Sequence, residues 1–376
     1  MQKIENSIEK FGNFHPDKII LTSLIVLGRS SSVFVSGLFD KHPNFITLPS
    51  QFYPTGLNMK KSLDNIAQEC YNEIIARSKR LVGKINIKKY PVEIFKNCFI
   101  DYINNFGLSR KNVFIACYYS FAKFFKMDLQ QIRYIVFDTH LIVKNIKWCI
   151  SDFKNIRFIV TIRDPRSNHL SLKLKGFAIL CLGYIKEMYS IYTQIAKKYP
   201  PSSIFILKHE DLHTQYPVVL DRLCRFFDVK KTDALNYSSF FGLPYDAAKA
   251  CYTRSSTNIN SSKPDPVYVD EKWKESLSSF EIAFIQNHYK SIFKDFGYKW
   301  YDPFENPKFM IYQEVFKPLT KKNIDSSKGP KRFILNSCLK IAKIPILGYI
   351  FIFSIQLIYL FLRYTKSRLR CAMTRI

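Results

Sequence analysis

The chain has 376 residues, which is long enough for one large hydrophobic core or two ordinary ones. Hydrophobic residues make up 47% of it and aromatic residues 16%, which excludes a mostly disordered protein. The formal net charge of +27 indicates anionic partners such as nucleotides, lipid headgroups or nucleic acid. The nine cysteines form no C-x-x-C pair and no zinc-like spacing, so we expect reduced, mostly buried thiols and no metal site.

The N-terminal segment, residues 1–18, mixes Glu, Lys, Asn and Pro and contains no apolar stretch. A secretory signal requires an apolar core, so we expect none here. The catalytic part is therefore expected in the cytoplasm, at the inner membrane if the protein is bacterial.

Strand-like and helix-like segments alternate along the chain. Residues 19–27 form an apolar run that is typical of a strand buried on both faces of a parallel sheet. A helix is predicted over about 33–41. Further strands are predicted over 133–137 and 157–162, with a helix over 142–153 between them.

The same alternation continues in the second half of the chain. Asp164 followed by proline is a helix start signal, an N-cap with proline in the first turn, for a helix that reaches about residue 198. A fourth strand is predicted over 203–207, and helices over 210–227 and 279–296. This order predicts an α/β fold, a three-layer sandwich with a central parallel sheet.

Two segments lack this alternation. Residues 50–128 read as helical in patches, and we interpret them as an insertion that shapes an acceptor pocket. Residues 251–266 are rich in Ser, Thr, Asn and Pro, a composition that predicts a loop.

The C-terminal segment differs in kind. Residues 344–362 contain no charged side chain over 19 positions, close to the roughly 20 that a helix needs to cross a bilayer. Lys and Arg flank this stretch on both sides and would add attraction to anionic lipid. We predict a hydrophobic helix over 334–363 that spans a membrane or lies in its interface, between a basic linker (311–333) and a basic tail (364–376). The alternative is a buried core helix.

The turn between the first strand and the first helix has the features of a phosphate-binding loop. Free backbone N–H groups and the helix dipole favour an anion there, and Arg29 can bind phosphate oxygens through two hydrogen bonds. ATP and GTP loops of the form G-x-x-x-x-G-K-[ST] need a second glycine and a lysine, which this turn lacks. We predict that it holds a nucleotide's 5′-phosphate through Arg29, Ser30, Ser31, Ser32 and Val33.

Residues 28–44 resemble the first nucleotide-binding motif of the sulfotransferase family, which uses 3′-phosphoadenosine 5′-phosphosulfate as donor. Members read R/K-S-G-T-T followed by L-L-D-x-H-P. Ser31 stands where the family has glycine and can still make the turn if its φ stays negative; Val33 replaces a threonine, so a hydroxyl ligand is lost. The resemblance implies a P-loop NTPase-like sulfotransferase fold over 19–310, this nucleotide as donor cosubstrate, and no metal. The matching positions are Arg29, Ser30, Leu38, Asp40, His42 and Pro43.

A second motif lies at 158–171, again where a strand meets a helix. It resembles the 3′-phosphate motif of the same family, which implies that Arg163 and Ser171 hold the 3′-phosphate. The start of the following helix also favours an anion. The alternative for Arg163 is a surface ion pair with Asp164.

Directly after the second predicted strand the sequence reads Asp138-Thr139-His140-Leu141. This resembles the K-T-H-L-P segment of cytosolic sulfotransferases, in which the histidine deprotonates the acceptor hydroxyl. The resemblance implies that His140 is the catalytic base, a task that an imidazole can perform at neutral pH. Asp138 is the alternative base, because many carbohydrate sulfotransferases use a carboxylate.

Two weaker resemblances complete the ordered set. Residues 208–212 resemble the family's Y-E-D-L element, in which His209 takes the position of a tyrosine that packs near adenine. Residues 273–298 resemble the closing W-x-x-x-L…G-Y segment. This implies that Arg254, and less directly Lys272, contact the 3′-phosphate; a solvated charge is the alternative for Lys272.

We therefore predict transfer of a sulfuryl group to a hydroxyl or amine acceptor, with Arg29 meeting the negative charge of the leaving phosphate. The hydrophobic C-terminal stretch suggests a carbohydrate or glycolipid acceptor at a membrane, and nucleic acid is not an expected partner. A nucleotide kinase would need the missing lysine and a metal-binding carboxylate. A catalytically degenerate family member that acts as a membrane-bound scaffold is the non-enzymatic alternative.

Overall fold

The computed structural model describes residues 10–48, 52, 56–82, 91–139, 143–174, 178–245, 262–269 and 271–303. The predicted hydrophobic helix over 334–363 and the basic segments beside it lie outside these described residues. Within the described ranges, no helix combines the length and the apolarity that crossing a bilayer requires.

Five strands form one sheet in which each neighbouring pair is parallel. They are β1 (Ile20–Val26), β2 (Phe45–Thr47), β3 (Tyr134–Asp138), β4 (Ile156–Ile162) and β5 (Ile204–Lys208). Their order across the sheet is β2-β3-β1-β4-β5. Parallel neighbours need crossover connections, which the helices supply. The predicted α/β architecture with a central parallel sheet is confirmed, and it is consistent with a sulfotransferase fold.

Side chains on opposite faces of β1 enter two different hydrophobic cores. Leu21 and Ile25 belong to the first core, whereas Leu24 and Val26 belong to the second. This alternation is the two-residue period of a strand that is covered on both faces. Helices close both cores, so the domain has the predicted three layers.

The second core is covered by α1, α8 and α9, and the other helices contribute to the first. In chain order the helices are α1 (Ser32–Leu38), α2 (Leu63–Val82), α3 (Val92–Phe106), α4 (Arg110–Phe124), α5 (Val143–Asp152), α6 (Pro165–Lys173), α7 (Ala178–Lys198), α8 (His209–Thr214), α9 (Tyr216–Phe227), α10 (Trp273–Ser276), α11 (Ser279–His288) and α12 (Lys290–Phe296). A short antiparallel pair, β6 (Ser239–Phe240) and β7 (Leu243–Pro244), follows α9.

Several elements differ from the sequence prediction. The short strand β2 was not predicted, because three residues carry no readable period. The region 50–128, predicted to be helical in patches, does contain helices, namely α2, α3 and α4. The predicted helix over 210–227 is divided into α8 and α9. Pro217 in the first turn of α9 has no backbone N–H to continue a helix from α8. The helix predicted over 279–296 is likewise divided, at Tyr289.

The carboxyl ends of the central strands meet at one edge of the sheet. Leu24 of β1 lies opposite Asp138 of β3, and Val26 lies opposite Thr161 of β4. The loops that leave these strands therefore start side by side. In open parallel sheets this edge is where ligands bind.

Arg166 joins the segment after β4 to the C-terminal helices. The residue is 5% exposed, and its guanidinium lies 4.0 Å from the centre of the Trp273 ring. It forms a 2.6 Å ion pair with Asp164 and donates to the side chain of Gln286, which in turn binds the backbone of Tyr301. A planar guanidinium can stack and bridge at once, which an ammonium group cannot. These contacts fix α6 against α10 and α11.

Replacing Arg166 with methionine should lower the free energy of unfolding by about 3 kcal/mol, because the Asp164 carboxylate loses its buried cation. Urea unfolding monitored by circular dichroism measures this. Lys274→Met is the matched control: Lys274 also lies over Trp273, at 5.7 Å, but its side chain is 39% exposed. A change below about 0.5 kcal/mol is expected for it, and equal losses would contradict the role given to Arg166.

Candidate functional site

The loop after β1 turns through two residues in the left-handed region. Gly28 has φ +86° and Ser31 has φ +64°, and α1 begins at Ser32. Ser31 therefore does not make the turn with a negative φ. The turn requires a left-handed residue just before the helix, which is the conformation that glycine adopts without strain.

Asn168 on α6 crosslinks this loop to the segment that follows β4. Its Oδ1 accepts from the backbone N–H of Arg29 at 2.9 Å, and its Nδ2 donates to the carbonyl of Leu27 at 2.8 Å. A Cβ on Gly28 would lie 2.0 Å from Nδ2, so only glycine leaves room for the amide. The sequence analysis did not single out Asn168, although it lies inside the motif at 158–171.

A second contact between the two segments involves predicted ligands of both phosphates. Arg29 Nε donates to Ser171 Oγ at 2.9 Å. Ser30 is buried, and its hydroxyl donates to the carbonyl of Thr161 at 2.9 Å, which directs it into the protein. The structure thus brings Arg29 and Ser171 together, and it uses the Ser30 side chain to hold the loop against β4.

The helix that follows β4 has its N-terminus already occupied. Asp164 caps α6 by accepting from the backbone N–H of Arg166 at 2.8 Å, which confirms the predicted N-cap. The helix start was also expected to favour a ligand anion; in the structure the Asp164 carboxylate is the anion that binds its first-turn amide. An anion near this junction would depend on Arg163 and Ser171.

Arg163 and His209 meet at one backbone carbonyl. Arg163 Nη2 donates to the carbonyl of Tyr268 at 3.4 Å, and His209 Nε2 lies 3.1 Å from the same oxygen. His213 beside them accepts from the N–H of Asp265 at 3.1 Å. These contacts attach residues 265–268 to the site.

The two histidines at this position are neutral at neutral pH. Burial lowers the pKa of His209 to about 2, and the charge of Arg163 acts in the same direction. Burial and the charge of Arg163 lower the pKa of His213 to about 4. Of the described residues that contact the Tyr268 carbonyl, Arg163 therefore carries a positive charge and His209 does not.

The remaining predicted ligands lie near the same loop or outside the described residues. The Ser32 hydroxyl donates to Asp138 Oδ2 at 3.1 Å, which places this buried carboxylate beside the loop. Val33 is partly buried against the second core, and its side chain has no polar group to offer a ligand. His140 and Arg254 lie outside the described residues.

No family profile matches the chain, and no curated protein sequence matches it. Similar solved structures include the sulfotransferase domain of a Synechococcus olefin synthase, at 15% identity and a TM-score of 0.46, covering 74% of this chain and 94% of that one. The sulfotransferase domain from the curacin biosynthetic pathway has 14% identity and a TM-score of 0.46, covering 75% and 99%.

A third similar structure is retinol dehydratase in complex with androsterone and the inactive cofactor PAP, at 12% identity and a TM-score of 0.33, covering 77% of this chain and 85% of that one. The first two of these structures are sulfotransferase domains, the family whose motifs the sequence resembles. What they bind is a property of those proteins.

Replacing Gly28 with alanine should destabilise the protein by about 2 kcal/mol or more, since it strains a left-handed residue and displaces Asn168. Thermal unfolding of Gly28→Ala, Asn168→Ala and the double variant measures this. The cost of Gly28→Ala should fall when Asn168 is already alanine, because the clash is gone.

A matched control is Gly183→Ala, in the interior of α7, where a Cβ meets nothing within 4 Å. It should stabilise the protein by up to about 1 kcal/mol, as alanine does in helices. If Gly28→Ala cost the same with and without Asn168, the close approach of the amide would not be the reason for the glycine.

Proposed function

We propose that the protein transfers a sulfuryl group from 3′-phosphoadenosine 5′-phosphosulfate to a hydroxyl or amine acceptor. The observation that carries the proposal is the 2.9 Å contact between Arg29 Nε and Ser171 Oγ. It joins a cation from the loop after β1 to a hydroxyl from the helix after β4. The loop after β1 and the segment after β4 are thus two neighbouring strand-to-helix junctions. A nucleotide with phosphate groups at both its 5′ and 3′ positions fits such a pair.

Each junction would bind one phosphate group. The backbone N–H groups of 30–33 and the Arg29 guanidinium would bind the 5′-phosphosulfate, because a left-handed turn before a helix directs amides at an anion. Arg163 and Ser171 would bind the 3′-phosphate, with Arg254 as a further ligand. Cations, hydroxyls and amides would meet the charge of the nucleotide without a metal.

The reaction would be an in-line displacement at sulfur. The acceptor oxygen or nitrogen forms the new bond to sulfur, the bond from sulfur to the bridging oxygen of the 5′-phosphate breaks, and 3′,5′-bisphosphoadenosine leaves. The proton of the acceptor passes to a base, for which His140 is proposed, with Asp138 as the alternative. Arg29 would stabilise the negative charge on the departing phosphate.

The acceptor is proposed to be a carbohydrate or a lipid-linked glycan at a membrane, with the catalytic domain on the cytoplasmic side. The support is the uncharged stretch 344–362 between basic segments. The helices α2, α3 and α4 are the proposed acceptor region.

The wild-type protein should bind 3′,5′-bisphosphoadenosine, and Arg29→Ala should weaken binding roughly 10- to 100-fold, since a charge-assisted hydrogen bond contributes about 1.5–3 kcal/mol. Isothermal titration calorimetry measures this. Arg133→Ala is the matched control, because Arg133 precedes β3 at the opposite edge of the sheet and its side chain is 40% exposed. Binding of ATP but not of the bisphosphate would overturn the proposal.

Loss of the catalytic base should leave nucleotide binding unchanged and remove sulfuryl transfer, whereas Arg29→Ala should weaken nucleotide binding itself. His140→Gln should lower the rate of sulfuryl transfer from labelled donor by about 100- to 10,000-fold if His140 is the base, and Asp138→Asn should do so if Asp138 is. Bisphosphate affinity should change little in the variant that loses its base. A wild-type protein that binds the nucleotide but transfers nothing to membrane glycan extracts would favour the scaffold alternative.

A further inference from the structure

Ser31 occupies a conformation that serine rarely adopts. Its φ of +64° and ψ of +22° lie in the left-handed region, and its side chain makes no capping hydrogen bond to α1. A side chain at such a position carries a steric cost that glycine does not carry. Some other contact must therefore stabilise the turn.

That contact is a hydrogen bond to His209. Ser31 Oγ lies 2.7 Å from His209 Nδ1, although the two residues are 178 positions apart in the sequence. His209 is 5% exposed and belongs to α8, which packs against the second core. The imidazole is therefore held by the fold and not by the loop that it contacts.

The direction of this hydrogen bond follows from the partner on the other side of the ring. His209 Nε2 lies 3.1 Å from the carbonyl oxygen of Tyr268, which has no hydrogen to give. Nε2 must then carry the hydrogen, and in a neutral imidazole Nδ1 is the acceptor. The burial described above keeps the ring neutral. The Ser31 hydroxyl thus donates to Nδ1, and its hydrogen is not available to a phosphate oxygen.

We propose that His209 is a positioning residue of the phosphate-binding loop: it accepts the Ser31 hydroxyl hydrogen and so holds Ser31 in the left-handed conformation that aims the following amides. The inference rests on the proposed function only in that the loop is taken to bind a nucleotide phosphate. The backbone N–H of Ser31 would then bind the ligand, whereas its side chain would stabilise the turn.

The imidazole of His209 also connects the loop after β1 to Arg163, which follows β4. The carbonyl of Tyr268 accepts from His209 and from Arg163 Nη2, at 3.1 Å and 3.4 Å. The loop residue Ser31, the imidazole, this carbonyl and the Arg163 guanidinium therefore form one continuous hydrogen-bonded chain. His209 sets the position of the loop relative to the guanidinium.

Two substitutions at Ser31 separate this role from direct ligation. Ser31→Ala removes the hydroxyl but keeps the steric cost, whereas Ser31→Gly removes both. If the side chain serves the turn, Ser31→Ala should weaken bisphosphate binding about tenfold and Ser31→Gly by less than threefold. If the hydroxyl binds the phosphate, both variants should lose affinity equally, and the proposal would be overturned.

The partner residue provides a second, independent comparison. His209→Phe should weaken binding about tenfold in the wild-type background, and by less in the Ser31→Gly background, because glycine needs no partner. His213→Phe is the matched control: its ring packs 4.5 Å from His209, and its Nδ1 binds Asp265 and not the loop. The effect of His213→Phe on bisphosphate binding should be the same in the wild-type and the Ser31→Gly backgrounds. An equal effect of His209→Phe in both backgrounds would contradict the proposal.

Measurements on the free protein distinguish failure of this inference from failure of the proposed function. Thermal unfolding should give a higher melting temperature for Ser31→Gly than for Ser31→Ala. Nitrogen-15 NMR of the imidazole should find the hydrogen of His209 on Nε2 at pH 7. A hydrogen on Nδ1, or the reverse ranking, would overturn the pairing whether or not the nucleotide binds. A wild-type protein that passes both tests but does not bind the bisphosphate would overturn the proposed function alone.

Discussion

The geometry of the site depends on one side-chain amide, that of Asn168. It accepts from the N–H of Arg29 and donates to the carbonyl of Leu27, and so fixes the start of the loop after β1. A single residue on α6 can do this only because β1 and β4 are neighbours whose carboxyl ends meet. The absence of a side chain at Gly28 is the steric condition for this contact. The distance between Arg29 and Ser171 follows from it.

The charges around the site are arranged so that an anion would still find a positive field. Asp164 lies next to Arg163 in the sequence, but its carboxylate is directed to the start of α6 and to the buried guanidinium of Arg166. His209 and His213 are kept uncharged by burial and by Arg163, because a second positive charge at a buried position is unfavourable. Among the described residues around the Tyr268 carbonyl, the positive charge is thus carried by Arg163, whose planar donors suit phosphate.

The sequence predicted the features that depend on local signals. The strand over 157–162 and the Asp164 cap were found because an apolar run and an Asp-Pro pair are read within a few residues. Asn168 and Arg166 were missed, since their partners Arg29 and Gln286 lie 139 and 120 positions away. The positive φ of Ser31 could have been inferred from the glycine that the resembling motif has there. Serine alone gives no signal for a left-handed turn, because its partner comes from α8.

Two of the departures from the sulfotransferase pattern are physically connected. Ser31 stands where that pattern has glycine, and His209 stands where it has tyrosine, and the two side chains are 2.7 Å apart. A serine in a left-handed turn needs an acceptor for its hydroxyl, and a neutral imidazole held by a buried helix provides one. In a degenerate site, substitutions would be expected to be unrelated to one another. Under the proposed function, two departures whose side chains pair across 178 positions of sequence fit a working phosphate site better than a degenerate one.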